Sequence, residues 1–323
     1  MRKVISLVLA LVLCLGCVSV MADEAVNVKT GLSYVIDLSS SKDGKAQANF
    51  VLTAVTVDDN GVIDAVAIDY VQAKVSFDET GKLTTDKSVA VQSKNELGDG
   101  YGMRPASSIS AEWNEQAAAF AAYCVGKTAE ELTNMGVDEN GKATDADLIA
   151  SCTLAVNEFL PGVLDAVAKA EHIGAKKGDV LKLTQVTSLA KSKDAAEGAE
   201  GQAHAYNHVA AITLNGETIT SCIIDAAQAV VKFDATGKIT SDIATPVQSK
   251  NVLKEGYGMK AISPIGKEWY EQAAGFCAYA TGKTLAEITG MELDGGYATG
   301  TDLVATCTIS VTEMVELFAK AAN

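Results

Sequence analysis

The periodicity of apolar and polar positions changes along the chain, and the change occurs twice. Leu52 to Val57 is a continuous apolar and β-branched run, Asp58-Asp59-Asn60-Gly61 is a tight-turn signal, and Val62 to Phe77 returns with β-branched residues. A second turn, Asp78-Glu79-Thr80-Gly81, is repeated as Asp234-Ala235-Thr236-Gly237. These segments predict an antiparallel meander, closed by the glycine-rich stretch Gly98 to Gly102. From Ile109 to Val125 the period becomes helical: alanines dominate, and Trp113, Ala117, Phe120 and Cys124 fall on one face. Thr128 to Glu131 reads as a capping box opening a short helix, with Thr284 to Glu287 as its repeat. A last helix is expected over Leu154 to Ala170, and again over Ile309 to Ala321.

The repetition is literal. VQSKNELGDGYGMR at 91–104 returns as VQSKNVLKEGYGMK at 247–260, and 25 of the 42 positions in 91–132 are identical to those in 247–288. A period of 156 residues is a whole domain rather than a solenoid unit. The chain is therefore expected to be α+β, with two tandem copies of an antiparallel meander followed by helices that cover one face of the sheet. The boundaries are 23–171 for the first copy and 172–323 for the second, with the linker near His172 to Gly178. The Ala/Glu/Gly/Lys-rich stretch 190–203 reads as a long mobile loop inside the second copy.

The first 22 residues change the picture of compartment. Arg2 and Lys3 precede the apolar run Val4 to Cys17, which has the form of a signal peptide. Cleavage after Ala22 gives a soluble exported chain, and processing at Gly16-Cys17 gives a lipid-anchored one. In both readings the mature chain is extracytoplasmic, without a transmembrane segment. Cleavage after Ala22 removes two basic residues and no acid, leaving 24 basic against 41 acidic residues and a net charge of −17. That sign excludes nucleic acid as a natural partner. Cys124, Cys152, Cys222, Cys277 and Cys307 are odd in number, and only Cys152 and Cys307 occupy equivalent positions. They read as buried free thiols rather than a disulfide framework.

Candidate chemistry lies where the copies agree. Asp147 and Thr153 bracket Leu-Ile-Ala-Ser-Cys, and Asp302 and Thr308 bracket Leu-Val-Ala-Thr-Cys, each ahead of the last helix. Ser310 to Glu313 matches a capping box, which would set Thr308 just outside a helix N-terminus suited to a phosphate. Alternatively, the Thr flanks the helix and the Asp caps a turn. The second block is Lys94 with Tyr101 and Met103, repeated as Lys250 with Tyr257 and Met259. Its glycine-flanked ring suits a planar ligand, its Lys a phosphate, and the alternative is a turn packed on the following helix. Trp113 and Trp269, with Glu112/Glu268, Glu115/Glu271 and Gln116/Gln272, occupy that helix. Asp69 and Gln72 recur as Asp225 and Gln228 in an otherwise apolar strand, facing a cleft or satisfying buried backbone. His204 and His208 share a face but have no counterpart in the first copy. The chain has no P-loop and no repeated histidine for hydrolytic chemistry.

The meander, the D-x-x-G turns and the late Asp and Thr resemble the FMN-binding domain of bacterial membrane-associated electron-transfer systems. That family's motif is D-x-x-S-G-A-T, whose Thr takes FMN as a phosphoester. Asp147 and Asp302 match its Asp, and Thr153 and Thr308 match its Thr. Between them, Ala150/Ala305, Ser151/Thr306 and Cys152/Cys307 replace Ser, Gly and Ala. The resemblance implies an exported flavoprotein, not an enzyme of bond chemistry, that carries electrons between a membrane reductase and an external acceptor. FMN would be the cofactor, at Thr153 and Thr308. The alternative is an exported ligand-binding or structural module that has lost the flavin.

Overall fold

The computed structural model describes residues 26–322; the expected leader lies outside them. Three antiparallel strands come first, β1 (Lys29–Asp37), β2 (Lys45–Val57) and β3 (Ile63–Ser76), in spatial order β1-β2-β3. Helices follow: α1 (Lys94–Leu97), α2 (Trp113–Cys124), α3 (Ala129–Thr133), α4 (Ala146–Ile149) and α5 (Leu160–Ala168). The second half has β4 (Val180–Ser188), β5 (Gly201–Asn215) and β6 (Thr218–Phe233), again in sequential order. It continues with α6 (Lys250–Leu253), α7 (Trp269–Ala280), α8 (Leu285–Thr289), the short hairpin β7 (Leu293–Asp294) and β8 (Tyr297–Ala298), α9 (Thr301–Val304) and α10 (Thr312–Ala321). The chain is mixed α+β with antiparallel sheets. No helix among the described residues is long and apolar enough to cross a membrane.

Local chemistry explains the turns. The Asp58 carboxylate accepts from the backbone N–H of Asn60 and Val62, while Gly61 supplies φ +78°. Asp78 and Asp234 do the same for Thr80/Lys82 and Thr236/Lys238. The capping boxes at Thr128–Glu131 and Thr284–Glu287 form as expected. The last helices start later than their apolar pattern suggests. Pro161 occupies the first turn of α5, after a separate 3-10 turn at Val156–Glu158. The box expected at Ser310 to Glu313 does not form, and α10 begins at Thr312 with no side-chain cap.

Helices cover one face of each sheet, and each remaining face packs against the other sheet. Trp113, Phe120, Leu148, Phe159 and Val163 join Val55 and Ile68 in one helix-side core. Trp269, Phe276, Leu303, Leu317 and Phe318 join Ile212 and Ile224 in the other. Between the sheets lies a third core that draws Phe50, Leu52, Val71 and Phe77 from the first and Val209, Ala211, Val231 and Phe233 from the second. This back-to-back junction is reciprocal. Leu83 N–H donates to Asp194, and Ile239 N–H donates to Asp43. A Cβ on Gly81 would lie 2.9 Å from the Asp234 carbonyl oxygen, and one on Gly237 would lie 2.5 Å from that of Asp78. Residues 190–203 are thus not a free loop: Ala195 is buried and its N–H donates to the Gly81 carbonyl. The linker is also tied down, because Glu171 bridges to Thr30 and Lys176 to Asn27 along the start of β1.

Candidate functional site

The N-terminal turns of α2 and α7 organise most residues that the repeats share. Glu112 is buried, closes a capping box with Glu115, and accepts from the backbone N–H of Met103 and Arg104 at 2.8 Å each. Glu268 does the same for Met259 and Lys260. Glu112 and Glu268 thus pin the loop ahead of each helix. One turn on, the amide of buried Gln116 donates to the Ser107 hydroxyl and the Ala111 carbonyl. Its Oε1 accepts both the N–H and the hydroxyl of Thr153, at 2.9 and 3.0 Å. Gln272 repeats this with Ser263, Lys267 and Thr308, the last at 2.8 and 3.1 Å. Thr153 and Thr308 are therefore held by the first turns of α2 and α7. Asp147 and Asp302 lie exposed on the short helices α4 and α9, and no bond joins them to either Thr.

Lys94 and Lys250 turn inward. The Lys250 ammonium lies 4.6 to 4.7 Å from the ring centres of Tyr206, Tyr257 and Trp269, and donates to the Tyr206 hydroxyl at 2.5 Å. Lys94 is caged in the same way by Tyr70, Tyr101 and Trp113, at 4.2 to 4.8 Å. The third ring comes from a different strand in each half: Tyr70 from β3, Tyr206 from β5. Burial lowers Lys94 to about 8 and Lys250 to about 7. The expected ring face is thus covered by the chain's own lysine. A cavity of about 250 Å³ beside Lys94 is lined by Gln72, Gln92 and Tyr101.

Asp69 and Asp225 are buried and satisfy backbone. Asp225 accepts from Ala226 and Asn251, and Asp69 from Tyr70 and Asn95. Burial raises both carboxyls to about 6, against hydrogen bonds that pull them down.

A cavity of about 860 Å³ lies along the edge strand β6, where the first half meets the second. Leu32 and Tyr34 of β1 form one wall, with Lys169, Glu171 and Ile173 from the segment after α5. Asp225, Asn251, Val252, Tyr270, Cys222 and Cys277 form the other. At the equivalent position on the edge of β3, polar groups clamp one another. There Glu96 accepts from Gln185 at 2.6 Å and from Lys320 at 2.5 Å. Strand register makes Gln185 the counterpart of Tyr34, because each pairs through the central strand to the repeated Asp. The repeat places Val252 opposite Glu96 and Asp165 opposite Lys320. All three members of the polar clamp are replaced in the open groove. Sequence reading missed this cavity; its signal is that 91–104 and 247–260 differ at Glu96/Val252 and Gly98/Lys254, and both Val252 and Lys254 line it.

No family model, curated protein or solved structure matches the chain.

A covalently held flavin does not fit the residues present at Thr153 and Thr308. Each hydroxyl is donated to a buried glutamine, and an ester oxygen has no proton to donate. The motif's glycine position carries Thr306, whose side chain packs against Gly275 of α7, where even an added Cβ would lie 2.9 Å away.

Proposed function

We propose that the protein is an extracytoplasmic binding protein that holds one small organic molecule in the open groove between β1, β6 and α7. The observation that carries this reading is the divergence of the two grooves. One is clamped by Gln185, Glu96 and Lys320, whereas its counterpart has Tyr34, Val252 and Asp165 and a cavity of about 860 Å³. That volume falls within the usual span of small-ligand sites, about 300–1,000 Å³. Ile223, Ile224, Ala274 and Ala278 offer apolar contact, while Tyr34, Tyr270, Asn251 and the charged Lys169, Glu171 and Lys254 sit at the walls. The ligand is then mostly apolar with a polar or charged end.

The sequence resemblance supports a narrower version, in which the halves are tandem FMN-binding-type domains and the ligand is FMN held without an ester. The protein would then carry electrons from a membrane reductase to an external acceptor. Native mass spectrometry and an absorbance spectrum of protein from its own host test both. An organic adduct that disappears in Ala274→Trp, with cooperative unfolding kept, supports the groove as the site. Visible flavin bands that vanish in the same variant select FMN. Protein at its bare mass, with no adduct before or after substitution, overturns the proposal.

A further inference from the structure

Cys222 on β6 and Cys277 on α7 place their sulfurs 3.0 Å apart, and both face the large cavity. The equivalent positions of the first half are Val66 and Ala121, so the pair exists only at the open groove. We propose that Cys222 and Cys277 form a redox-active dithiol. It closes to a disulfide by exchange with a small disulfide entering through the cavity, and reopens with a small thiol.

Three features carry this. The sulfurs must approach by about 1 Å to reach bonding distance, a movement within side-chain rotation. The two cysteines lie on different elements, 55 residues apart, so closure cross-links strand to helix across the cavity wall. They are also the least buried of the five described thiols: Cys222 and Cys277 are 6 % and 7 % exposed, against 0 to 1 % for Cys124, Cys152 and Cys307, none of which lines the cavity.

The chemistry balances. One thiol loses its proton, and its thiolate attacks a sulfur of the external disulfide, expelling one thiolate and leaving a mixed disulfide on the protein. The neighbouring cysteine, deprotonated in turn, attacks the protein sulfur and expels the second. Two protein thiols are oxidised, one external disulfide is reduced, and both expelled thiolates take up the released protons. Burial raises the Cys222 thiol well above its ordinary range, so exchange accelerates as pH rises.

The test is oxidised glutathione added to the folded full chain, followed by acid quench, denaturation, alkylation and peptide mass spectrometry. The expected result is a Cys222–Cys277 linked peptide, a mass lower by two hydrogens, and alkylation at Cys124, Cys152 and Cys307 but at neither Cys222 nor Cys277. Dithiothreitol restores alkylation at both. In Cys277→Ser the reaction stops at a glutathione adduct on Cys222. Alkylation of both Cys222 and Cys277 after oxidation, persistent glutathione adducts on either of them in the unaltered chain, or linkage of either cysteine to Cys307 would each overturn the proposal.

Discussion

Phe77 lies flat on Phe233, with ring centres 3.8 Å apart and planes within 5°. The two residues occupy equivalent positions of the repeat, Phe77 directly after β3 and Phe233 at the end of β6. A stack between equivalent residues puts the local symmetry axis of the back-to-back sheets through this pair. Both rings belong to the core between the sheets, and Phe233 is fully buried. Phe77→Ala and Phe233→Ala are each expected to cost about 3–5 kcal/mol. Because each removes the other's partner, the double variant should cost clearly less than the sum. Urea denaturation of the three variants checks this, and strict additivity would show that the rings do not act as a unit.

The buried ionisable groups predict an unusual pH profile. Lys94 and Lys250 titrate at about 8 and about 7 in the fold, below the ordinary lysine range. Their contribution to stability is full above about pH 10 and is lost as pH falls through 8 and 7. Asp69 and Asp225, raised to about 6, act in the opposite sense. Theirs is full below about pH 4 and lost as pH rises through 6. Together these four groups place a minimum of stability near pH 6–7, made shallower on the acid side by His208, which burial lowers to about 3 and whose contribution is lost as pH falls below about 6.5. Denaturation midpoints between pH 5 and 9 measure it, and the double variant Asp69→Asn with Asp225→Asn should flatten the acid side. A maximum at neutral pH would contradict the argument.

Gln272 and Thr308 separate a structural role from a chemical one. Gln272→Leu strands the Thr308 N–H and hydroxyl and breaks the bonds to Ser263 and Lys267, an expected cost of about 3 kcal/mol. Thr308→Val removes only the hydroxyl and keeps the backbone bond, an expected cost of about 1 kcal/mol. The same order should hold for Gln116 and Thr153. Thermal denaturation of the four variants decides it: if the Thr changes cost as much as the Gln changes, the glutamines are not the organising residues.

The legible parts of the fold are those whose signals are local. Asp58-x-x-Gly61, Asp78-x-x-Gly81 and the helix face of Trp113, Ala117 and Phe120 are self-contained, and the chain forms them as read. β1 and β4 are not legible, because KTGLSYVID and VLKLTQVTS mix polar and apolar residues without clean alternation. Those polar positions serve the junction, where Thr30 bonds Ser221 and the Tyr34 hydroxyl donates to Asn207. β2 is buried on both faces, and a continuous apolar run does not say what covers the second one. Residues 190–203 look like a mobile loop by composition, yet their small side chains are what lets Ala195 pack close to Gly81, where an added Cβ would lie only 2.7 Å from it. The candidate site is the least legible part, since a cavity depends on how Tyr34, Val252 and Asp165 depart from their counterparts in space.

Glu96 offers a direct test of how the two grooves diverged. Its carboxylate takes Gln185 from β4 and Lys320 from α10, and also the Ser93 N–H at the start of α1. Glu96→Val imitates the residue found at the open groove. It removes all three acceptor contacts, although Gln185 keeps its bond to the Val91 carbonyl. The charged pair is about a third exposed, at 27 % and 31 % for the two side chains, so solvent screening limits its share. The expected total cost is about 2 kcal/mol. The screened share sets the salt response: raising ionic strength from about 0.1 to about 1 M should narrow the gap between the original and variant chains. Urea denaturation at both salt levels measures this. A cost below about 0.5 kcal/mol, or a gap that ignores salt, would show that the clamp does not hold the groove shut and that the open groove owes its cavity to other residues.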